Sequence, residues 1–218
     1  MRLPFTIDEF FEVFRRYNEA VWPAQWVLIA IALVAIVAAT GRHPRLRAVP
    51  MMALALLWLW MGIVYHGLFF RAINPAAAIF MILFVAQGAA FLWVTRRPVT
   101  DAHAVSAGAG AILMTYALLV YPALGLLMGH RYPESPTFGL PCPTTIFTLG
   151  LLLWVRQAFP RPLLIVPVLW AIVGTSAALQ LGMLEDLGLP VAALVAIVLT
   201  VRRRPRPVLR TISPHRAT

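Results

Sequence analysis

The sequence predicts an all-α integral membrane protein: a bundle of seven transmembrane helices preceded by a short amphipathic N-terminal helix. Three observations predict it. Hydrophobic residues make up 61% of the 218 and charged residues only 12%, too little polar surface for a soluble domain of this length. The hydrophobic residues fall into seven runs that take up most of the chain and leave no stretch long enough for a separate soluble domain. The basic residues concentrate in every second connection between those runs, the pattern of a membrane protein with a fixed orientation.

Residues 1–20 form the first unit. Thr6 and Glu9 have capping-box spacing. Phe10, Phe11, Phe14 and Tyr17 recur at helical spacing, with Asp8, Glu9, Glu12, Arg15 and Arg16 on the other side. This pattern predicts an extracytoplasmic amphipathic helix, lying on the membrane surface or packed over the mouth of the bundle. No apolar stretch followed by a small-residue cleavage site occurs here, so the first apolar run is expected to stay as an anchor.

Residues 21–201 form the transmembrane domain. Its runs are placed at 24–40, 49–70, 75–95, 104–128, 144–159, 162–184 and 187–201. A span needs roughly 20 apolar residues, with a lower limit near 17. The first run is at that limit. The fifth and seventh are short, and snorkelling of Arg156 and Arg202 would extend them. Residues 202–218 are basic and Pro-rich, expected to be disordered and to lie against anionic head groups.

Charge placement supplies the orientation. Arg42, Arg45, Arg47, Arg96, Arg97, Arg156, Arg161, Arg202, Arg203, Arg204, Arg206, Arg210 and Arg216 lie on one side, 13 of 18. The other side holds Arg2, Arg15, Arg16, Arg71 and Arg131, and seven of the eight acids. Positive residues stay inside. The expectation is a bacterial inner (plasma) membrane protein with its N-terminus extracytoplasmic and its C-terminus cytoplasmic. The net charge of +10 then reflects topology, and no nucleic-acid partner is expected.

Composition excludes some chemistry. Every basic residue is Arg, so no Lys Schiff base can form. One Cys excludes an intramolecular disulfide and any CxxC motif. The short connection Arg71–Asn74 before Pro75 forces an antiparallel pair, and Pro160-Arg161-Pro162 and Glu185-Asp186 join the last three runs. Small residues four apart, such as Ser106 with Gly110, would let helices approach closely. Trp22, Trp26, Trp93 and Trp154 read as an interfacial belt.

The unusual residues gather on the extracytoplasmic side. Trp58, Gly62, Tyr65, His66 and Phe69 share one face of the second run, with His66 roughly 6 Å inside its outer end. A histidine there either faces a partner or a watery cavity, or is a neutral ring bonded to a carbonyl or reaching the interface. The loop after the fourth run carries His130, Arg131, Pro133, Pro136, Pro141, Cys142 and Pro143, and its prolines make it stiff. Pro143 suits the first position of a helix, which makes Cys142 its N-cap. Two readings of Cys142 follow: a small inert thiol, or a reactive one of lowered pKa beside His130 and Arg131. The reactive reading extends to a soft-metal site of Cys142, His130 and His66, so a metal ion is the one cofactor these residues could take, though no motif calls for it. Tyr65, His66, Asn74, His130, Arg131 and Cys142 are the candidates for a ligand site or pore mouth. No carboxylate is expected deep in a span.

With these motifs in view, the chain resembles a bacterial family of multi-spanning membrane proteins of unknown function. The matching segments are Tyr17-Asn18-Glu19 with Val21-Trp22-Pro23, Tyr65-His66 with Ile73-Asn74-Pro75-Ala76, and the run from Pro136 to Pro143 leading into Thr144-Thr145. The resemblance implies class and placement, and no activity. Seven-span zinc hydrolases need several His and an Asp inside the spans, whereas only His66 lies within one here. The leading expectation is therefore a small transporter, permease or channel-like protein that recognises a small solute at an extracytoplasmic site. The alternatives are a membrane-embedded enzyme or thiol/metal-handling protein using Cys142, His130 and His66, and an accessory subunit. The bilayer is the expected partner, with a second copy or another membrane protein as further ones.

Overall fold

The computed structural model describes residues 4–41, 43, 46–97 and 102–202. Among the described residues the regular elements are all helical, and one isolated bridge joins Phe138 to Leu140.

Helix α1 (Ile7–Ala20) begins at a complete capping box. Thr6 Oγ1 accepts from the Glu9 N–H at 3.2 Å, and Glu9 Oε2 accepts from the Thr6 N–H at 2.7 Å. Its Val13, Phe14, Tyr17 and Asn18 face is buried. The opposite face holds Glu12 between Arg15 at 2.6 Å and Arg16 at 2.8 Å. Tyr17 accepts from the Trp60 indole at 2.7 Å, so the apolar face of α1 packs on the bundle. The chain then bends by 84° into α2 (Ala24–Thr40), after a cis Trp22–Pro23 bond.

Helix α3 (Val49–Ala72) is α-helical to Trp60, π-helical over Met61–Phe69, and ends in a 3-10 turn. Asn74 starts the return: its Oδ1 accepts from the Ala76 N–H at 3.0 Å, and α4 (Ala77–Thr95) runs back antiparallel against α3. Helix α5 (Ala107–Leu127) starts at Ser106, whose hydroxyl caps Ala109, and has a π segment at Tyr116–Val120.

Helix α6 (Pro141–Trp154) is the centre of the bundle. Twelve of its fourteen residues are buried, so it is apolar all round because it is enclosed all round. It packs on α5, on α3, on α7 (Arg161–Leu181) and on α8 (Leu184–Arg202). Trp58 donates to Thr148 Oγ1 at 3.0 Å, tying α3 to α6 inside the core. Where α5 crosses α6, Gly110 and Gly150 meet: a Cβ on Gly110 would lie 2.7 Å from the Gly150 carbonyl oxygen.

The expected bundle of seven spans is met in part. Five helices (α3, α4, α5, α7, α8) are long and apolar enough to cross a membrane, and the bent pair α1 and α2 makes six if it counts as one. The expected fifth run, 144–159, is the main departure. Its helix starts earlier, at Pro141, and stops at Trp154, because Val155 turns extended (ψ 142°). The Arg156 carbonyl then accepts from the Ala102 N–H at 3.0 Å. Fourteen residues rise about 21 Å, short of the roughly 30 Å hydrocarbon core. The expected seventh run lies within α8, which is 19 residues long. Within the expected tail 202–218, residues 203–218 lie outside the described residues.

Candidate functional site

The site lies at the end of the bundle that carries α1. Each part is placed by local structure. The π segment of α3 turns Tyr65 and His66 inward, at 3% and 0% exposure. The π segment of α5 sets Tyr116 and Tyr121 at its two ends, and both reach the turn that opens α8. Tyr116 OH donates to the Glu185 carbonyl at 2.7 Å, and Tyr121 OH donates to Asp186 Oδ1 at 2.5 Å. Gly182, at φ +72°, ends α7 in the left-handed conformation that glycine takes without strain, and lets the chain reach that turn.

Glu185 and Asp186, read from the sequence as a short connection between two runs, are therefore a buried pair, 0% and 5% exposed. His130 Nδ1 lies 2.7 Å from Glu185 Oε1, within hydrogen-bond distance. Glu185 Oε2 is buried without a partner. Both acids stand in the turn that opens α8, at the end of a span, and are enclosed there by protein. Their burial is made by residues 55 to 69 positions away in sequence, which a local reading of two acids between apolar runs does not register. The available signal was Tyr116, a polar residue inside an apolar run, with Tyr121 five positions on.

A cavity of about 320 Å³ opens between α1, the end of α3, the start of α6 and α7. Phe5, Phe10, Phe14, Phe70, Phe80 and Trp170 supply aromatic rings to its wall. Tyr65, Asn74, Tyr121, Cys142 and Asp186 supply the polar atoms, and Ser176 and Gln180 stand on α7. A second cavity, of about 340 Å³, lies across Tyr121 and is lined in part by Trp22, Gln25, His130 and Tyr132.

The sequence candidates divide accordingly. Tyr65, Asn74 and Cys142 share the first cavity. His130 lines the second. Arg131 is exposed and lines neither. His66 lies behind the wall, its ring 4.7 Å from Phe84, 5.2 Å from Trp170 and 5.6 Å from Phe80. Neither of its nitrogens has a partner, so neither expected arrangement of a bonded His66 is present. Among the described residues no three His, Cys, Asp or Glu side chains form a group that could hold a metal ion. His66, His130 and Cys142 are thus not brought together.

Cys142 is the second residue of α6, not its N-cap; Leu140 caps the helix. Its thiol faces Asp186, while His130 lines the other cavity and Arg131 lines neither, so the basic neighbours that the reactive reading calls for are not beside it. Stiffness of the loop, in contrast, has a clear source. Asn18, fully buried in α1, donates through Nδ2 to the Pro133 carbonyl at 2.6 Å and the Ser135 carbonyl at 2.8 Å. It also accepts from Thr137 Oγ1 at 2.7 Å.

Residues 7–210 match the family of unknown function DUF6064, and the chain belongs to that family. No curated protein and no solved structure matches the chain significantly.

Proposed function

We propose that this DUF6064 member is a protein of the bacterial plasma membrane that takes up a small solute in the cavity beneath α1, in the manner of a small permease. In this reading the α1 end faces outside and the C-terminus faces the cytoplasm. Five helices of spanning length support the membrane placement. The placement of 13 of 18 Arg in alternate connections supports the orientation.

The observation that carries the reading is the cavity. At about 320 Å³ it falls within the range of small-molecule sites, and its apolar wall with a few convergent polar groups is the usual make-up of such sites. A further cavity of about 380 Å³ lies at the opposite end, lined by Arg47, His103, Arg156 and Gln157 among others. The two share no lining residue. At mid-height Leu54, Leu57, Trp58, Met61 and Phe147 have no exposure. Passage of a solute would therefore need the helices to rearrange, as in a carrier and unlike an open pore.

Two experiments test the parts separately. A library of small solutes is screened by thermal unfolding of the detergent-purified protein, wild type against Ala177→Phe, which fills the cavity. Solutes that stabilise only the wild type are expected; a library with no such member overturns the site. For orientation, Glu134→Cys in a Cys142→Ser background is treated with an impermeant maleimide. Labelling in intact cells is expected, and labelling only after lysis overturns the orientation.

A further inference from the structure

The wall of the first cavity has a charge character as well as a shape. It contains a carboxylate, Asp186, and neither Arg nor His. Behind Asp186 stands Glu185, fully buried, with Oε2 unpartnered. One imidazole, His130, is shared with Glu185. The groups that face Asp186 from the neighbouring helices are the Tyr121 and Tyr116 phenols of α5, the Cys142 thiol of α6 and, further off, Tyr65 of α3. Of these, Tyr121 donates to Asp186, and Tyr116 donates to the Glu185 carbonyl next to it. No Arg or His lines the cavity beside Asp186, and a buried carboxylate needs either a proton or a cation.

Six aromatic side chains, Phe5, Phe10, Phe14, Phe70, Phe80 and Trp170, stand in the same wall, among aliphatic and proline residues. Ring faces carry negative charge density, and a cation held against several of them gains more when water is excluded. Phe10 lies 4.5 Å from Phe14 and 6.2 Å from Phe70, centroid to centroid, so the rings form a continuous patch. Trp170 is 9% exposed, and its indole N–H is turned toward the Cys142 thiol. Trp170 Nε1 and Cys142 Sγ both converge over Gly174, 3.5 and 3.6 Å from where a Cβ would be. A larger residue there would fill that polar spot.

We propose that the solute is an organic cation, an ammonium carrying hydrocarbon or aryl groups, with Asp186 as its counter-charge and the Phe10, Phe14, Phe70 and Trp170 rings as its walls. This inference rests on the cavity being the solute site. An inorganic cation would gain little from the rings and would keep its water. An anion would meet Asp186 with no Arg to offset it. The size of the cavity sets an upper limit near that of a small aryl ammonium.

The probe pair is phenyltrimethylammonium and its neutral carbon isostere, tert-butylbenzene. Binding to purified protein in detergent is read by calorimetry and by thermal unfolding, with Ala177→Phe as the filled-cavity control. The cation is expected to bind wild type at least tenfold more tightly than it binds Asp186→Asn, while the isostere does not distinguish the two. Phe10→Leu, which removes a ring but no charge, is expected to weaken the cation by about threefold and to leave the isostere unchanged. This second variant keeps the test open if Asp186→Asn does not fold. Equal binding of cation and isostere, blocked by Ala177→Phe, overturns the cation and leaves the cavity reading standing. Binding of either probe that Ala177→Phe does not reduce, or no binding at all, overturns the cation and removes this support for the cavity.

Discussion

The Tyr121 hydroxyl donates to Asp186 Oδ1 at 2.5 Å, across 65 positions of sequence. The bond fastens the middle of α5 to the turn that opens α8, and it does so inside the core, with Tyr121 1% exposed. A buried acceptor that loses its donor costs about 1–3 kcal/mol. Tyr121→Phe is therefore expected to lower stability by about that amount, read from the unfolding midpoint in detergent. Combining it with Asp186→Asn should cost less than the two single losses added together, because the second change removes a bond already broken. Strict additivity would show that the two side chains do not act as a pair.

Asn18 does the same for the proline-rich loop. Two carbonyls and one hydroxyl of residues 133–137 depend on its amide. Asn18→Ala leaves all three without their partner, at an expected cost of about 2–3 kcal/mol. The sharper prediction is spatial. Amide hydrogen exchange should rise over residues 129–140 and over α1, and stay unchanged in α4. A uniform rise across the protein would mean that Asn18 supports the whole fold and not this loop.

The crossing of α5 and α6 depends on two glycines facing each other. A Cβ on Gly150 would lie 2.9 Å from the Gly110 carbonyl oxygen, and the obstacle is backbone that cannot swing away. Gly150→Ala is expected to destabilise by about 1–3 kcal/mol, the usual cost of overpacking. Gly108→Ala is the control, since nothing lies within 4 Å of its position. It should be neutral or stabilise by about 0.5–1 kcal/mol, because alanine loses less freedom in a helix. Equal behaviour of the two variants would rule out a close crossing.

How far this was readable in the sequence follows from range. The capping box at Thr6 and Glu9 involves residues three apart, and it is present as the pattern predicts. The inward face of Tyr65 and His66 follows from apolar spacing along one helix. The small-residue spacing pointed to Gly110, but its partner Gly150 sits in a run read only as apolar. Two features resisted. The end of α6 at Trp154 is set by the extended Val155 and by pairing of Arg156 with Ala102, while apolar Val155 and Phe159 made the run look longer. The burial of Glu185 and Asp186 is set by Tyr116, Tyr121 and His130, all far away in sequence. Their position between apolar runs is equally that of an exposed linker. The sequence thus picked out Tyr65, Asn74 and Cys142, which share one cavity wall. It missed Asp186 in the same wall.

His66 gives the last prediction. Its ring is fully enclosed by Tyr65, Phe70, Phe80, Phe84 and Trp170, and both nitrogens are unpartnered. Burying a polar ring without hydrogen bonds costs free energy that an apolar residue of similar size would not. Methionine suits such a site, since its flexible thioether fills irregular gaps and contacts aromatic rings favourably. His66→Met is therefore expected to leave the unfolding midpoint unchanged or to raise stability by about 1 kcal/mol. His66→Ala should cost about 2–4 kcal/mol through the cavity it leaves. The two variants separate packing from polarity. If His66→Met costs as much as His66→Ala, the imidazole nitrogens have a partner in solution, such as an enclosed water, and His66 then belongs to the polar part of the site beside Trp170 rather than to the apolar packing behind its wall.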